Sequence, residues 1–109
     1  MGTNAFNPCG NTVTFVAATT PPTAVQAVST TLGGNQYRLV NAGTVTVFIG
    51  VGPSAGAAAA NAVVASTTQQ CYPLLPGAIE IATFLPNAYF TGNVSSGTAT
   101  VYITPGDGL

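Results

Sequence analysis

Apolar and polar residues alternate with a period of two over much of this chain, and that alternation constrains its fold more than any other feature. The run TVTVFIGV at residues 44–51 places its branched apolar residues on one face of an extended strand. Residues 36–40 likewise place Tyr37 and Leu39 on one face and Arg38 on the other. Similar runs occupy residues 12–16, 25–29, 77–84, 88–91 and 98–104. Each run is typical of a half-buried β-strand.

Turn-forming sequences separate these runs, among them Pro-Pro, Gly-Gly-Asn, Pro-Gly, Pro-Asn and Ser-Ser-Gly. Strands at such intervals predict an all-β fold, an antiparallel, jelly-roll-like β-sandwich of about seven to eight short strands. The shared phase of the runs predicts a set of inward-facing residues: Val45, Val47, Ile49, Ile79, Ile81, Val101 and Ile103.

The length fits a single domain with a segment ahead of it. A chain of 109 residues is long enough to bury a hydrophobic core. We predict that residues 23–109 form the β-sandwich domain. Residues 1–22, rich in Asn, Thr and Pro, are predicted to form an N-terminal arm or a first strand. An arm would become ordered only against a neighbouring subunit, and its removal would leave the sandwich folded.

The segment VFIGVGPSAGAAAANAVVA at residues 47–65 has the order of a dinucleotide-binding turn, with a strand, a glycine turn and a helix start. The match fails in detail. Only the looser G-x-G-x-x-A is present, and Pro53 lacks a backbone N–H that a phosphate would need. A dinucleotide-binding motif has an acidic residue about 20 residues further on that binds the ribose hydroxyl, and this chain has Gln69 and Gln70 there. We therefore interpret residues 50–64 as a strand end and a loop of small residues, with room for one short helical turn.

Charged side chains are almost absent, which removes most catalytic chemistry. Arg38, Glu80 and Asp107 make up 3% of the chain, against about 25% in ordinary soluble domains, and there is no His. General acid–base catalysis needs titratable groups of matched pKa, and a nucleophilic cysteine needs a base beside it. Glu80 is predicted to point outward between two buried isoleucines. We predict that the chain is not an enzyme and uses no cofactor.

The near absence of charged side chains and histidine also argues against metal ions and nucleic acids as ligands. Two cysteines without histidine cannot complete a four-ligand zinc site, and one arginine cannot give the counterion release on which nucleic-acid affinity depends. No apolar run approaches the roughly 20 residues of a membrane span. The start, MGTNAFNPCG, lacks the features of a signal peptide, so we expect maturation in the reducing host cytoplasm. Cys9 and Cys71 are then expected to be two thiols, although their spacing leaves a disulfide open.

Arg38 and Glu80 are nevertheless candidates for a specific contact. Each occupies the polar phase of its strand and is the only charge for many residues around it. They are predicted either to form a cross-strand or intersubunit ion pair that fixes register, or to be solvated separately. An exposed pair would contribute about 0–1 kcal/mol to stability.

A β-rich chain with so few charges is expected to associate with itself. Charges normally keep soluble monomers apart, and edge strands are usually protected by Lys, Pro or bulges. Since this chain has no Lys, prolines or neighbouring subunits are expected to cover its edges. We predict a homotrimer or another closed symmetric oligomer that contacts a larger protein lattice. Its interfaces should be insensitive to salt because there is almost no ionic interaction to screen.

Three runs, YRLVNAGTVTVFIGVG, PLLPGAIEIATFLPNAYFTG and GTATVYITPGDGL, resemble small virion proteins of tailed bacteriophages, most of all the head decoration, or cement, proteins. The resemblance extends from about Gln36 to the end of the chain. It implies a jelly-roll-like sandwich, usually trimeric, that clamps neighbouring major capsid protein subunits on the virion surface without catalysis. It carries no sharp motif and therefore assigns no site residue.

Two alternative functions remain open from the sequence. The first is a phage fibre or tail-associated protein. The second is a host-receptor or carbohydrate-binding sandwich, which would display exposed aromatic side chains. The candidates for that role are Tyr37, Tyr72, Tyr89 and Tyr102. Tyrosines in strands more often belong to a core or an interface.

Overall fold

The computed structural model describes residues 6–29, 35–64 and 71–107, except for the side chains of Asn7 and Asp107. Within these residues the chain forms nine strands and one helix: β1 (Asn7–Pro8), β2 (Val13–Ala18), β3 (Val25–Gln26), β4 (Gln36–Asn41), β5 (Val47–Gly52), α1 (Ala55–Asn61), β6 (Tyr72–Leu74), β7 (Ile79–Thr83), β8 (Tyr89–Asn93) and β9 (Thr98–Asp107). The predicted all-β, sandwich-like fold is confirmed.

The described strands belong to one curled sheet. Its order is β6-β5-β8-β2-β9-β4-β7, with β1 beside β9 and β3 beside β8. The pairs are antiparallel except for β2 and β8, which run parallel and are paired at Ala18 and Asn93. At this short pairing the sheet divides into two layers. We call β6-β5-β8 the helix-side layer and β2-β9-β4-β7 the open layer.

The two layers enclose one hydrophobic core. Its largest fully buried apolar residues are Tyr37, Leu39, Val47, Ile49, Leu74, Phe90, Val94, Val101 and Ile103. The rings of Tyr37, Phe84 and Phe90 pack together with centroid distances from 5.0 to 6.0 Å. The inward positions predicted for Val47, Ile49, Val101 and Ile103 are confirmed, and Val45 packs half-buried against the core.

The predicted phase of β7 is wrong. Ile79 and Ile81 are 57% and 39% exposed, whereas Glu80 and Ala82 are half-buried. The side chain that accounts for this is Tyr72, which packs its ring against Phe84 and donates a hydrogen bond from its Oη to Glu80. Because the two rings occupy the interior beside β7, that side of the strand takes small residues and a hydrogen-bonded carboxylate rather than isoleucines.

The segment predicted to form an N-terminal arm or a first strand contributes β2 to the middle of the sheet. β2 lies between β9 and β8, and its Phe15 and Ala17 belong to the core. Thr91 of β8 donates a hydrogen bond from Oγ1 to the Pro22 carbonyl oxygen over 2.7 Å. The described part of residues 1–22 thus contains a strand that belongs to the sheet and its core, and the division of the chain at residue 22 stays a prediction. Residues 1–5 lie outside the described residues.

The small-residue segment after β5 forms helix α1 rather than a loop. Ser54 precedes the helix, and its Oγ accepts a hydrogen bond from the N–H of Ala57 over 3.2 Å. Alanine has the highest intrinsic helix propensity, which favours a helix in this segment. At seven residues, α1 is longer than the one short helical turn that the sequence analysis allowed for.

The glycines of the nucleotide-like segment make space for this helix. A Cβ on Gly50 would collide with the carbonyl oxygen of Ala58, and one on Gly52 would lie 2.5 Å from the Cβ of Ala57. β5 pairs antiparallel with both β6 and β8, whereas dinucleotide-binding folds use parallel strands. The glycines thus serve close helix–sheet packing.

Candidate interaction surface

The outward side of the open layer carries a group of exposed apolar residues, and we call it the outer face. Val16 on β2 is 50% exposed and Tyr102 on β9 is 43% exposed. The exposed Ile79 and Ile81 of β7 complete the group. No helix covers this face in the described part of the chain, because α1 packs on β5 and β8.

The strand register aligns these side chains in rows across the outer face. Tyr102 lies opposite Thr14 of β2 on one side and opposite Val40 of β4 on the other. Val40 in turn lies opposite Ile79 of β7. Side chains that face each other across strands lie close enough to form a continuous surface. The first row therefore joins all four strands and contains no charge.

A second row holds the only cation of the protein. Arg38 lies opposite Thr104 of β9 and opposite Ile81 of β7. Beyond Thr104, the Oγ1 atoms of Thr12 and Thr104 are 2.7 Å apart and share a hydrogen bond. Arg38 is exposed, so its guanidinium is the charged group that this row presents.

An open cleft of about 430 Å³ lies at the end of the second row. It is lined by Phe6, Pro8, Gly10, Thr12, Arg38 and Thr104. The planar guanidinium presents a fork of N–H donors that matches a carboxylate, and the threonine hydroxyls are further polar partners. Chemically, this cleft is suited to an acidic side chain or another carboxylate.

Glu80 lies on the other side of the sheet from Arg38. The register places Glu80 opposite the buried Leu39, whereas Arg38 lies opposite Ile81. Successive side chains of a strand point to opposite faces, so the two charges do not form a direct pair within one chain. Pairing between subunits stays a prediction.

The hydrogen bond between Tyr72 and Glu80 joins the two ends of the sheet. β6 and β7 are the first and last strands of the sheet order, and residues 75–78 connect them. Burial, the hydrogen bond to Glu80 and the charge of that carboxylate raise the pKa of Tyr72 to about 12. The carboxylate predicted to face solvent thus accepts a hydrogen bond that holds the layers together.

The four tyrosines occupy different environments. Tyr37 is buried, and its Oη donates a hydrogen bond to the Leu85 carbonyl oxygen over 2.6 Å. Burial raises the pKa of Tyr37 above its ordinary value. Tyr72 is bound to Glu80, and Tyr89 is half-buried. Tyr102 is the tyrosine that the structure places on the outer face.

The remaining sequence candidates do not come together in a site. Cys9 is buried, Cys71 is half-buried, and no disulfide joins them. The described residues contain no group of three His, Cys, Asp or Glu side chains that could hold a metal ion. The side chain of Asp107 lies outside the described residues.

Within the described segments, no helix has the length and hydrophobicity needed to cross a bilayer.

Comparison of the chain with protein-family models, with curated proteins and with solved structures found no match. The fold itself defines the class: an all-β, sandwich-like protein. Its most distinctive surface is a sheet face with apolar and hydroxyl side chains around a single guanidinium.

Proposed function

We propose that this chain is a non-enzymatic virion structural protein, a decoration or cement protein that binds the major capsid protein lattice of a phage head as a symmetric oligomer and stabilises it. The observation that carries the proposal is the outer face, which spans four neighbouring strands. It carries exposed apolar side chains, and Arg38, which lies between Ile81 and Thr104, is the one charged side chain described on it.

The shape and chemistry of the outer face favour a protein partner. Small-molecule sites are usually concave and enclose most of the ligand, whereas contiguous exposed apolar patches mark contacts with proteins or membranes. The row from Thr14 to Ile79 is open sheet surface with apolar and hydroxyl groups. Such a surface binds through shape and apolar contact, and Arg38 at the adjacent cleft would orient a carboxylate of the partner.

The size of the outer face supports a multivalent mode of attachment. Four strands about 4.8 Å apart, each with at least five residues of about 3.3 Å rise, cover a footprint of a few hundred Å². A stable interface usually buries about 800 Å² on each partner. One copy would therefore bind weakly, and several copies held in one oligomer would gain avidity on a repeating lattice.

The proposal can be tested by quantitative mass spectrometry. The sample is purified phage particles produced from the genome that encodes this chain. We expect the chain in a fixed ratio to the major shell subunit, and lower heat resistance in particles that lack it. Absence of the chain from the particles would overturn the proposal. A few copies per particle would point instead to the tail or fibre alternative.

A matched pair of variants tests the role of the outer face in attachment. Val16→Ser removes an apolar side chain from that face, and Val64→Ser makes the same change at a residue of similar exposure after α1. We expect only Val16→Ser to weaken rebinding to particles stripped of the chain. Equal effects of the two variants would contradict the assignment. Rebinding should change little from low to moderate salt, because the one charge described on the outer face of each copy gives little to screen.

A further inference from the structure

β7 is an edge strand with one side open in the described part of the chain. It ends the sheet order and pairs with β4 alone. Edge strands carry a row of backbone N–H and C=O groups that can pair with another strand. The five residues of β7 include neither Pro nor Lys, and the exposed Ile79 and Ile81 stand beside this row.

The hydrogen bonds to β4 identify which backbone groups point to the open side. The Asn41 N–H donates to the Ala78 carbonyl oxygen, and the Phe84 N–H donates to the Asn35 carbonyl oxygen, each over 3.0 Å. Hydrogen-bonded pairs alternate along an antiparallel ladder, so even-numbered residues of this segment face β4. Ile79, Ile81 and Thr83 therefore direct their N–H and C=O groups away from β4.

The other end of the sheet is protected against the same kind of pairing. β6 has only three residues, and the middle one is Pro73, which has no N–H to donate. On β7 the single charged residue is Glu80, whose side chain points inward to Tyr72. Inward-pointing charges also limit pairing of edge strands, because an incoming strand must avoid them. Glu80 therefore restricts the registers that β7 can accept.

We propose that β7 pairs with β7 of a second copy, antiparallel and about a two-fold axis at Ile81, so that the open layers of two chains form one continuous sheet. The inference rests on the self-association in the proposed function and specifies its surface and symmetry. An isologous contact of this kind uses the same patch on both subunits. It gives a dimer, which belongs to the alternative of another closed symmetric oligomer that the sequence analysis named beside the homotrimer.

Charge and length select this register. Centred on Ile81, the pairing includes all five residues of β7, and Glu80 lies opposite Ala82 of the second copy. Centred on Glu80, it would place two carboxylates directly opposite each other, which is destabilising. Centred on Ala82, it would leave Ile79 beyond the end of the partner strand. Only the first register combines full pairing with separated charges.

The pairing would also change the surface that the protein presents. Ile81 would exchange two backbone hydrogen bonds with Ile81 of the second copy, and Ile79 would do so with Thr83 of that copy. The two Ile81 side chains would contact each other on the outer face. Because both outer faces then lie on the same side of one sheet, the dimer would offer a docking surface about twice as large as one chain offers.

Two lysine variants with the same net charge test the interface. Ile81→Lys places like charges opposite each other at the two-fold axis, and Val16→Lys adds the same charge to the outer face on a strand away from the edge. We expect sedimentation to show a dimer for the wild type and for Val16→Lys. For Ile81→Lys we expect a dissociation constant raised about tenfold or more, which is 1.4 kcal/mol. Unchanged circular dichroism confirms that each variant folds.

Cysteine variants test the register. In the proposed pairing the Cα atoms of the two Ile81 residues are about 5.5 Å apart, within the range of a disulfide. The two Ile79 residues are about 13 Å apart along the strands. Mild oxidation should therefore link two chains of Ile81→Cys and should not link Ile79→Cys. The wild type, with Cys9 and Cys71, serves as the blank.

The outcomes separate this inference from the proposed function. A wild type that is monomeric or trimeric, an Ile81→Lys variant that dimerises like Val16→Lys, or cross-linking of Ile79→Cys in place of Ile81→Cys would each overturn the β7 pairing. None of these results bears on whether the chain is present in purified phage particles. Its presence there in a fixed ratio tests the proposed function independently.

Discussion

The two layers of the sheet have similar inner faces and very different outer faces. In the helix-side layer, Gly50 and Gly52 allow α1 to lie on β5, and Thr91 of β8 is fully buried beneath the segment that contains Pro22. In the open layer, Val16 and Tyr102 occupy the corresponding outward positions and remain exposed. Glycines such as Gly50 and Gly52 on the outward phase of a strand thus mark a covered face, whereas larger side chains such as Val16 and Tyr102 mark the face that stays exposed.

Removal of residues 1–22 should have the largest effect on this arrangement. β2 is the link between the layers, because it pairs with β9 of one and touches β8 of the other. Without it, the core would lose Phe15 and the sheet would be cut in two. We expect the truncated chain to show no cooperative unfolding transition by circular dichroism. A truncated chain that melts like the whole protein would show that the layers do not depend on each other through β2.

A matched pair of glycine substitutions tests whether close helix packing defines the helix-side layer. Gly50→Ala would drive a Cβ into the backbone of α1, and we expect a loss of about 3 kcal/mol in the free energy of unfolding. Gly56→Ala adds the same methyl group inside α1 where nothing lies within 4 Å. Since alanine favours helix, it should stabilise by up to about 1 kcal/mol. Urea denaturation measures both, and equal effects would contradict the packing argument.

The hydrogen bond between Tyr72 and Glu80 joins the layers at their far ends, and Tyr72→Phe removes it. We expect a loss of about 1 kcal/mol at neutral pH. The folded pKa of Tyr72 is about 12, raised from 10.0. Its contribution is therefore fully present below pH 10 and is lost as the pH rises from 10 to about 12.

Urea midpoints measured across that pH range should accordingly fall more steeply for the wild type than for Tyr72→Phe. Tyr37 is present in both proteins, so its own raised pKa cancels in the comparison. If the urea midpoints of the two proteins fall in parallel with pH, the hydrogen bond of Tyr72 does not stabilise the junction of the layers.

The smallest effect is expected on the outer face itself. Ile79→Thr should change the free energy of unfolding of the monomer by less than about 0.5 kcal/mol, because the side chain is exposed. The measurement requires a protein concentration low enough to keep the chain monomeric. A large loss of stability would mean that Ile79 is covered by the chain's own residues, and the contrast between the layers would disappear.

The sequence predicted the fold class well because strand periodicity is a local property. In β4, the inward Tyr37 and Leu39 and the outward Arg38 leave only one phase that buries apolar groups. In β7 both phases contain apolar residues, Ile79 and Ile81 on one and Ala82 on the other. The choice between them depends on Tyr72 and Phe84, which fill the space inside. No local pattern contains that information.

The outer face was only partly accessible from the sequence. The threonines of β9, of which Thr98 is exposed and Thr100 and Thr104 are half-buried, alternate with buried residues, and this alternation is a visible signal for an outward phase. What the sequence did not show is that Thr14, Tyr102, Val40 and Ile79 form one row, because that row depends on the register of strands far apart in the chain. The helix was predicted too short for a related reason: a run of small residues suits a loop as well as a helix until Gly50 provides a surface for it.

The pairing of β2 with β9 also has a consequence for how the protein is made. β2 begins at Val13, and its antiparallel partner begins only at Thr98. During synthesis on the ribosome, β2 and β4 must both wait for β9, because β9 stands between them in the sheet. Such distant pairing makes folding slow and leaves apolar strands exposed in the meantime. The nascent chain therefore depends on its last described strand, and chaperone protection would matter most just before β9 emerges.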